Sequence, residues 1–256
     1  MKLIDTHTHL YLKEFSKDIE EVIQRADGEG IEKFYLPAID SSETQAMMSL
    51  EKKFPGQCMP MAGLHPCSVK ENYKEELNKI EKMLLERKFY AIGESGLDFY
   101  WDKTFTKEQY ECLNIQAEWS LQYDLPLVLH TRNAMEQTIE VVKSFKGKSL
   151  RGIFHCFGGT TEQAREIIDQ NFLLGIGGII TYKNSGLSEV LKEIDIKHIV
   201  LETDAPYLTP VPLRGKRNES SYLKYIAQKL AEIKNISIEE VAQQTTNNAE
   251  NIFSKN

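Results

Sequence analysis

Eight short apolar runs, separated by longer amphipathic stretches, constrain this chain more than any other feature. The runs lie at residues 3–4, 33–39, 59–64, 90–93, 125–129, 152–154, 172–180 and 199–201. Continuous apolar runs of this length suit parallel strands covered on both faces. Between them, helical spacing predicts helices over 16–29, 42–53, 75–87, 107–122, 135–145, 161–170 and 187–193. In the first, Ile19, Val22, Ile23 and Ala26 share a face ahead of Gly30, a stop signal. Thr106 reads as the N-cap of the fourth. Two further helices, 220–234 and 237–246, close the chain, the second opened by a Ser237/Glu240 capping box. Eight strand–helix alternations in 256 residues point to the α/β class and a closed (β/α)8 TIM barrel. A doubly wound open sheet fits less well, because no Gly-rich phosphate loop follows the first run. No low-complexity tract divides the sequence, so residues 1–256 are read as one domain.

In such a barrel the chemistry gathers at the C-terminal ends of the strands. Of the six histidines, His7, His9, His65, His130 and His155 end or closely follow an apolar run, and only His198 precedes one. Glu94 and Asp98 follow the fourth run, and Glu202 and Asp204 the eighth. A single histidine is more often a packed structural residue than a ligand. Five on one rim, with carboxylates beside them, are hard to explain as packing. His7, His9, His130, His155, Glu94 and Asp204 offer four nitrogen and two carboxylate ligands, enough for two divalent ions sharing a carboxylate. Paired ions suit hydrolysis, phosphodiester hydrolysis in particular. The ligand types fit Mg2+, Mn2+ or Zn2+.

Of the two carboxylates after the eighth run, Asp204 lies further out and is taken as the ligand. Glu202 is read as holding an imidazole or a loop amide. Asp98 is expected to order the loop at Glu94, and Asp5 to lie deeper on the face of His7 and His9. Arg132, two residues past His130, can fork onto phosphate oxygens, against the plainer reading of a surface ion pair. Arg214, Lys216 and Arg217 form a local cationic run, and Tyr100 with Trp101 could stack on a base or pack their own loop. Cys156 alternates away from His155 and is read as packing.

Bulk composition sets limits. A net charge of −7 argues against nucleic-acid binding by overall attraction, so any such contact must be local. The four cysteines form no C-x-x-C pair and suit reduced thiols. No stretch has the length and apolarity of a membrane span, and Asp5 and His7 interrupt any secretory segment, so a cytoplasmic protein without membrane partners is expected.

The motifs Asp5-Thr-His-Thr-His-Leu10, Gly63-Leu-His-Pro66, Ile92-Gly-Glu-Ser-Gly-Leu-Asp98, His130-Thr-Arg132, His155-Cys-Phe-Gly158, Glu202-Thr-Asp-Ala-Pro206 and Arg214-Gly-Lys-Arg-Asn-Glu219 resemble, in this order, those of TatD-type metal-dependent deoxyribonucleases within the amidohydrolase-like superfamily. The resemblance covers nearly the whole chain. It departs at Ser220, where the family pattern has proline. It implies one ion on His7, His9 and Asp204, a second on His130 and His155, and Glu94 bridging the two. It further implies that Asp204 orients or deprotonates the attacking water, and that His65 and Arg132 meet the substrate phosphate. Arg214 and Arg217 would clamp the backbone of a nucleic acid. The expected activity is divalent-metal-dependent hydrolysis of DNA, as an exonuclease on single-stranded ends, with RNA also open as substrate. The alternative keeps the barrel and metals but cleaves esters or amides, aminoacyl-tRNA included. A metal-dependent binding module without turnover is the third reading. The sequence leaves the oligomeric state open and is compatible with a monomer.

Overall fold

The computed structural model describes residues 1–254. In chain order its elements are β1 (Leu3–Asp5), α1 (Ile19–Gly28), β2 (Ile31–Leu36), α2 (Thr44–Lys53), β3 (Cys58–Pro60), α3 (Tyr73–Glu86), β4 (Ile92–Asp98), α4 (Thr106–Gln122), β5 (Leu127–Arg132), α5 (Met135–Ser144), β6 (Gly152–Phe154), α6 (Thr161–Asp169), β7 (Phe172–Ile176), α7 (Leu187–Glu193), β8 (Ile199–Leu201), α8 (Leu223–Lys234) and α9 (Ile238–Phe253). Every ladder is parallel, β1 to β3 in one run and β4 to β8 in another. Backbone bonds join the two runs into a ring. At one seam the Gly93 N–H donates to the Ala62 carbonyl (2.8 Å), and at the other the Thr6 N–H donates to that of Leu201 (3.0 Å). The result is the expected (β/α)8 barrel.

Two apolar layers hold it. Ile4, Tyr35, Met59, Met61, Ala91, Val128, Ile153, Leu173 and Val200 cluster together as the barrel interior, each from or beside a different part of the strand ring. Their neighbours in sequence, such as Leu3, Phe34, Leu127, Leu129, Phe154, Leu174 and Ile199, pack outward against the helices. This double burial is why the strands read as unbroken apolar runs.

Helix α9 closes the N-terminal end of the barrel. Phe253 stacks on Tyr35 (ring centroids 3.6 Å apart), while the Asn248 amide donates to the carbonyls of Ile196 (2.8 Å) and Ile199 (2.7 Å). The expected end at 246 falls short: Asn247 and Asn248 look like a stop, but Ala249, Ile252 and Phe253 continue the buried stripe. Phe253→Ala should cost about 3 kcal/mol by opening a cavity under the plug. For a chain this long, that lowers Tm by roughly 10 °C. A thermal melt unchanged within a degree or two would contradict this plug.

Other boundaries also differ from the sequence reading. β4 and β5 continue through Asp98 and Arg132, paired Gly96 with His130 and Asp98 with Arg132, so the ligand motifs lie within strands rather than after them. β7 stops at Ile176, and Gly178–Thr181 forms a 3-10 turn instead of more strand. Residues 220–222 are likewise a 3-10 turn ahead of α8. Thr106 is the first residue of α4 and not its cap; its hydroxyl donates to the Lys103 carbonyl (2.8 Å). The Ser237/Glu240 capping box is present, and a second, Thr160/Gln163, starts α6.

Candidate metal centre

The open, C-terminal end of the barrel gathers the histidines. β1 ends at Asp5, so strand alternation does not aim His7 and His9. The segment is instead tied down by backbone bonds: the Thr8 N–H to the Tyr35 carbonyl (3.0 Å), the His9 N–H to that of Ala205 (2.8 Å), and the Asp204 N–H to that of His7 (2.9 Å). Asp5 does not join the two rings. It is fully buried and accepts from the Thr203 N–H (2.9 Å), the Thr203 hydroxyl (2.6 Å) and the Ser220 hydroxyl (2.7 Å). Burial nevertheless pushes its pKa up to about 7. Ser220, the departure from the family pattern, therefore braces the segment between β1 and β8.

Glu94 stands at the middle of the cluster and is 2% exposed. Its Oε2 lies 3.1 Å from His7 Nε2 and 3.7 Å from His9 Nε2. Its Oε1 lies 3.0 Å from His130 Nδ1 and 3.6 Å from His155 Nε2. Asp204 Oδ1 completes the first half, 3.6 Å from His9 Nε2 and 3.8 Å from His7 Nε2. One carboxylate thus faces four imidazoles, two at each oxygen, and the two pairs adjoin: His7 stacks on His155 (centroids 3.5 Å), and these two approach Asp204 within ligating range.

The far nitrogens of His130 and His9 are hydrogen-bonded, and that of His155 lies close to a carboxylate without hydrogen-bond geometry. His130 Nε2 meets Asp98 Oδ2 at 2.9 Å, and His155 Nδ1 lies 2.9 Å from Glu202 Oε1. His9 Nδ1 meets the Tyr11 hydroxyl at 3.0 Å, whose own proton goes to the Pro37 carbonyl (2.6 Å). With the ring proton on that outward nitrogen, each of the three would turn a bare lone pair toward Glu94. Both nitrogens of His7 are buried without a hydrogen-bond partner among the described residues. Lone pairs aimed at carboxylate oxygens repel unless a cation or protons lie between them. A divalent cation in each half relieves that conflict, and imidazoles backed by carboxylates are ordinary metal ligands. The residues present fit two such ions.

Without the ions, protons must do the same work. Burial opposes the His155 imidazolium, but Glu202 and Glu94 outweigh it and push its pKa up to about 10. Burial would raise Glu94, yet His7, His65 and His155 hold it well below the usual carboxylate range.

His65, Glu94 and His130 also approach within ligating range of one another. His65 Nδ1, however, accepts from the Cys67 N–H (3.0 Å), so the ring proton sits on Nε2, 3.4 Å from Glu94 Oε1. That makes His65 a donor into the site and not a ligand.

The rim cations separate into two kinds. Arg132 and Arg214 are exposed and have no carboxylate partner among the described residues; their guanidinium groups lie over Tyr100 (4.0 Å) and Tyr182 (4.1 Å). Arg217 differs from the expected clamp. Its guanidinium is spent on Asp18 (2.8 and 2.6 Å) and the Glu14 carbonyl (2.6 Å), so it fastens the loop after β8 to the start of α1.

Several supports give little sequence signal. Gln109 and Gln116, seven apart on the buried face of α4, hold the backbones of Asp98 (N–H to Oε1, 2.9 Å) and Leu64 (N–H to Oε1, 2.8 Å). Asn218 donates to the carbonyls of Thr203 (2.8 Å) and Tyr207 (2.6 Å). Gly175 is required because a Cβ there would strike the Glu202 carboxylate. Glu202 also accepts from the Cys156 N–H (2.6 Å), so it fixes both the ring and the turn of His155. Glu202→Ala should therefore cost about 10- to 100-fold in metal affinity with the barrel intact. Calorimetric titration of the metal-stripped protein would show it, and wild-type affinity would refute it.

Comparison with known proteins fits this geometry. The family model described as "TatD related DNase" matches residues 4–254. An uncharacterised metal-dependent hydrolase of Bacillus subtilis, YabD, is 38% identical, with 98% of each chain covered. The 3'-5' ssDNA/RNA exonuclease TatD of Erwinia tasmaniensis is 31% identical over 98% of this chain and 99% of its own. Among solved structures, the TatD homologue YJJV of Escherichia coli superposes with a TM-score of 0.93 at 28% identity, covering 99% of this chain and 98% of that one. Among the described residues no helix is long and apolar enough to cross a membrane.

Proposed function

This chain belongs to the TatD-related DNase family of metal-dependent hydrolases, and from that premise we propose that it hydrolyses phosphodiester bonds of DNA as an exonuclease on single-stranded ends, with RNA as a second substrate. The observation that carries the proposal is the division of Glu94, whose two oxygens face two different sets of imidazole lone pairs. One divalent ion would be held by His7, His9, Asp204 and Glu94, the other by His130, His155 and Glu94. Bound there, the ions would supply Lewis acidity to the phosphate oxygens and acidify water.

The chain's own groups take the remaining work. Asp204 accepts the proton of the attacking water. His65 donates its Nε2 proton to a phosphate oxygen, held to that task by the Cys67 N–H at its other nitrogen. Arg132 and Arg214, both unpaired among the described residues, supply charge for the phosphates of the strand, which an acidic protein must provide locally. A site set within the end of a barrel suits a strand terminus better than an intact duplex.

The test is metal-stripped protein reconstituted with Mg2+, Mn2+ or Zn2+ and given end-labelled single-stranded DNA, RNA and duplex, beside ester and amide substrates including aminoacyl-tRNA. Stepwise shortening of the single strand is expected, and the 3'-5' direction of the Erwinia relative is the polarity to look for. Turnover of esters or amides with no oligonucleotide cleavage under any metal would overturn the reading.

A further inference from the structure

The loop between β4 and α4 carries the most exposed aromatic pair of the molecule's working face. Trp101 is 67% exposed and Tyr100 52%. Tryptophan is usually well covered, and open indole surface on a fixed loop needs a reason. This loop is fixed. Asp98 Oδ1 accepts the backbone N–H groups of Tyr100 (2.9 Å) and Trp101 (3.1 Å), while its Oδ2 holds His130 (2.9 Å). The following turn is tied by Asp102, which takes the Thr104 N–H (2.9 Å) and pairs with Lys70 (2.8 Å). The aromatics are therefore mounted on the same carboxylate that orients a metal-site imidazole.

Arg132 leaves that imidazole's strand and lays its guanidinium 4.0 Å from the Tyr100 ring centre and 5.1 Å from that of Trp101. Tyr100 and Trp101 meet edge to face, 4.9 Å apart at 85°, so the contact closes at most one face of one ring, and Trp101 keeps 67% of its surface open. An unpaired cation beside an open indole, one carboxylate away from a hydrolytic centre, matches one repeating chemistry: an anionic phosphate followed by a flat base. Stacking of this kind works on any base but needs it unpaired.

We propose that Trp101, flanked by Tyr100 and Arg132, is a stacking platform for a nucleobase next to the phosphate being cleaved, and that it makes the enzyme choose unpaired strands. The proposal rests on the nuclease reading above and adds the residues that set strand preference. Duplex ends are disfavoured because their bases are already stacked and paired. An abasic residue offers the phosphate without the ring and forfeits the contact.

The experiment pairs kinetics with binding. Trp119, the other tryptophan, is buried in α4. Trp119→Phe therefore leaves Trp101 as the fluorophore. Titration with oligothymidylate should quench its emission, whereas an oligonucleotide abasic near the end should not. Trp101→Ala should raise KM on base-bearing single strands by about 5- to 100-fold. It should add nothing further on the abasic substrate, and Trp101→Phe should restore much of the loss. Equal losses on both substrates, or a KM unchanged by Trp101→Ala, would overturn the platform while leaving the nuclease reading intact. Quenching by the base-bearing strand without hydrolysis of any oligonucleotide would support the platform and refute the nuclease reading.

Discussion

Glu94→Gln is expected to leave a folded barrel with about 10^4-fold lower kcat/KM, or about 5 kcal/mol of lost transition-state stabilisation. The cause is geometric before it is chemical. Glu94 meets His7 and His9 through Oε2 and His130 and His155 through Oε1. Glutamine is nearly the same shape, so packing around this buried position should hold. It replaces one acceptor oxygen with an NH2 that can only donate, and it removes the charge that balances two divalent ions. On the proposed two-ion reading one half therefore loses a ligand, and metal content by elemental analysis should fall from about two ions per chain toward one. Wild-type stoichiometry with a tenth or more of the activity would show that Glu94 does not bridge.

The barrel could be read from the sequence because double burial writes each strand as an apolar run, and helices that cover it keep a helical stripe. The candidate ligands stood out because they fall at or just past the ends of those apolar runs. What stayed hidden follows from the same physics. β4 and β5 extend through Glu94 and His130 into polar residues, and polarity in a strand that faces a barrel mouth is indistinguishable from a loop when hydropathy is the only signal. His7 and His9 do converge, yet not by alternation past the end of β1, but by hydrogen bonds to Tyr35, Ala205 and Asp204, two of them distant in sequence. Glu202 lies behind His155 as expected of a carboxylate that holds an imidazole, whereas Asp98, expected to order the loop at Glu94, instead meets His130 and the backbone of Tyr100 and Trp101. The hydroxyl of Tyr11 behind His9 carried no such pattern. The run at 214–217 shows the limit of reading charge without partners, since Arg214 remains open while Arg217 is consumed by Asp18.

Asp204→Asn should reduce kcat by about 10^3-fold, the size expected when a positioned general base is lost. Four acidic side chains border the cluster, and exposure separates their tasks. The side chains of Glu94, Asp98 and Glu202 are 3%, 1% and 0% exposed, while that of Asp204 is 14% exposed and so meets water at the mouth. Burial would raise its pKa, but hydrogen bonding to His9 and the charges of His155 and His7 hold it below the usual value. It is thus a carboxylate at neutral pH, able to take a proton. Asparagine keeps an amide oxygen and the side chain's shape but cannot take a proton, and because Asp204 is also a candidate ligand, metal content is measured beside kcat to separate the two effects. Asp204 has φ +56, a left-handed conformation that asparagine tolerates and alanine resists. Its backbone is held by the His7 carbonyl and the Tyr207 N–H, neither of which involves the side chain. The loss should fall on kcat with KM changed by only a few-fold, because substrate contacts come from His65 and Arg132. Asp204→Ala should lose the same chemistry and about 1 kcal/mol of stability besides, from forcing a Cβ-bearing residue with no compensating side-chain bond into that backbone region. A variant Asp204→Asn within tenfold of wild-type kcat would move the general base elsewhere.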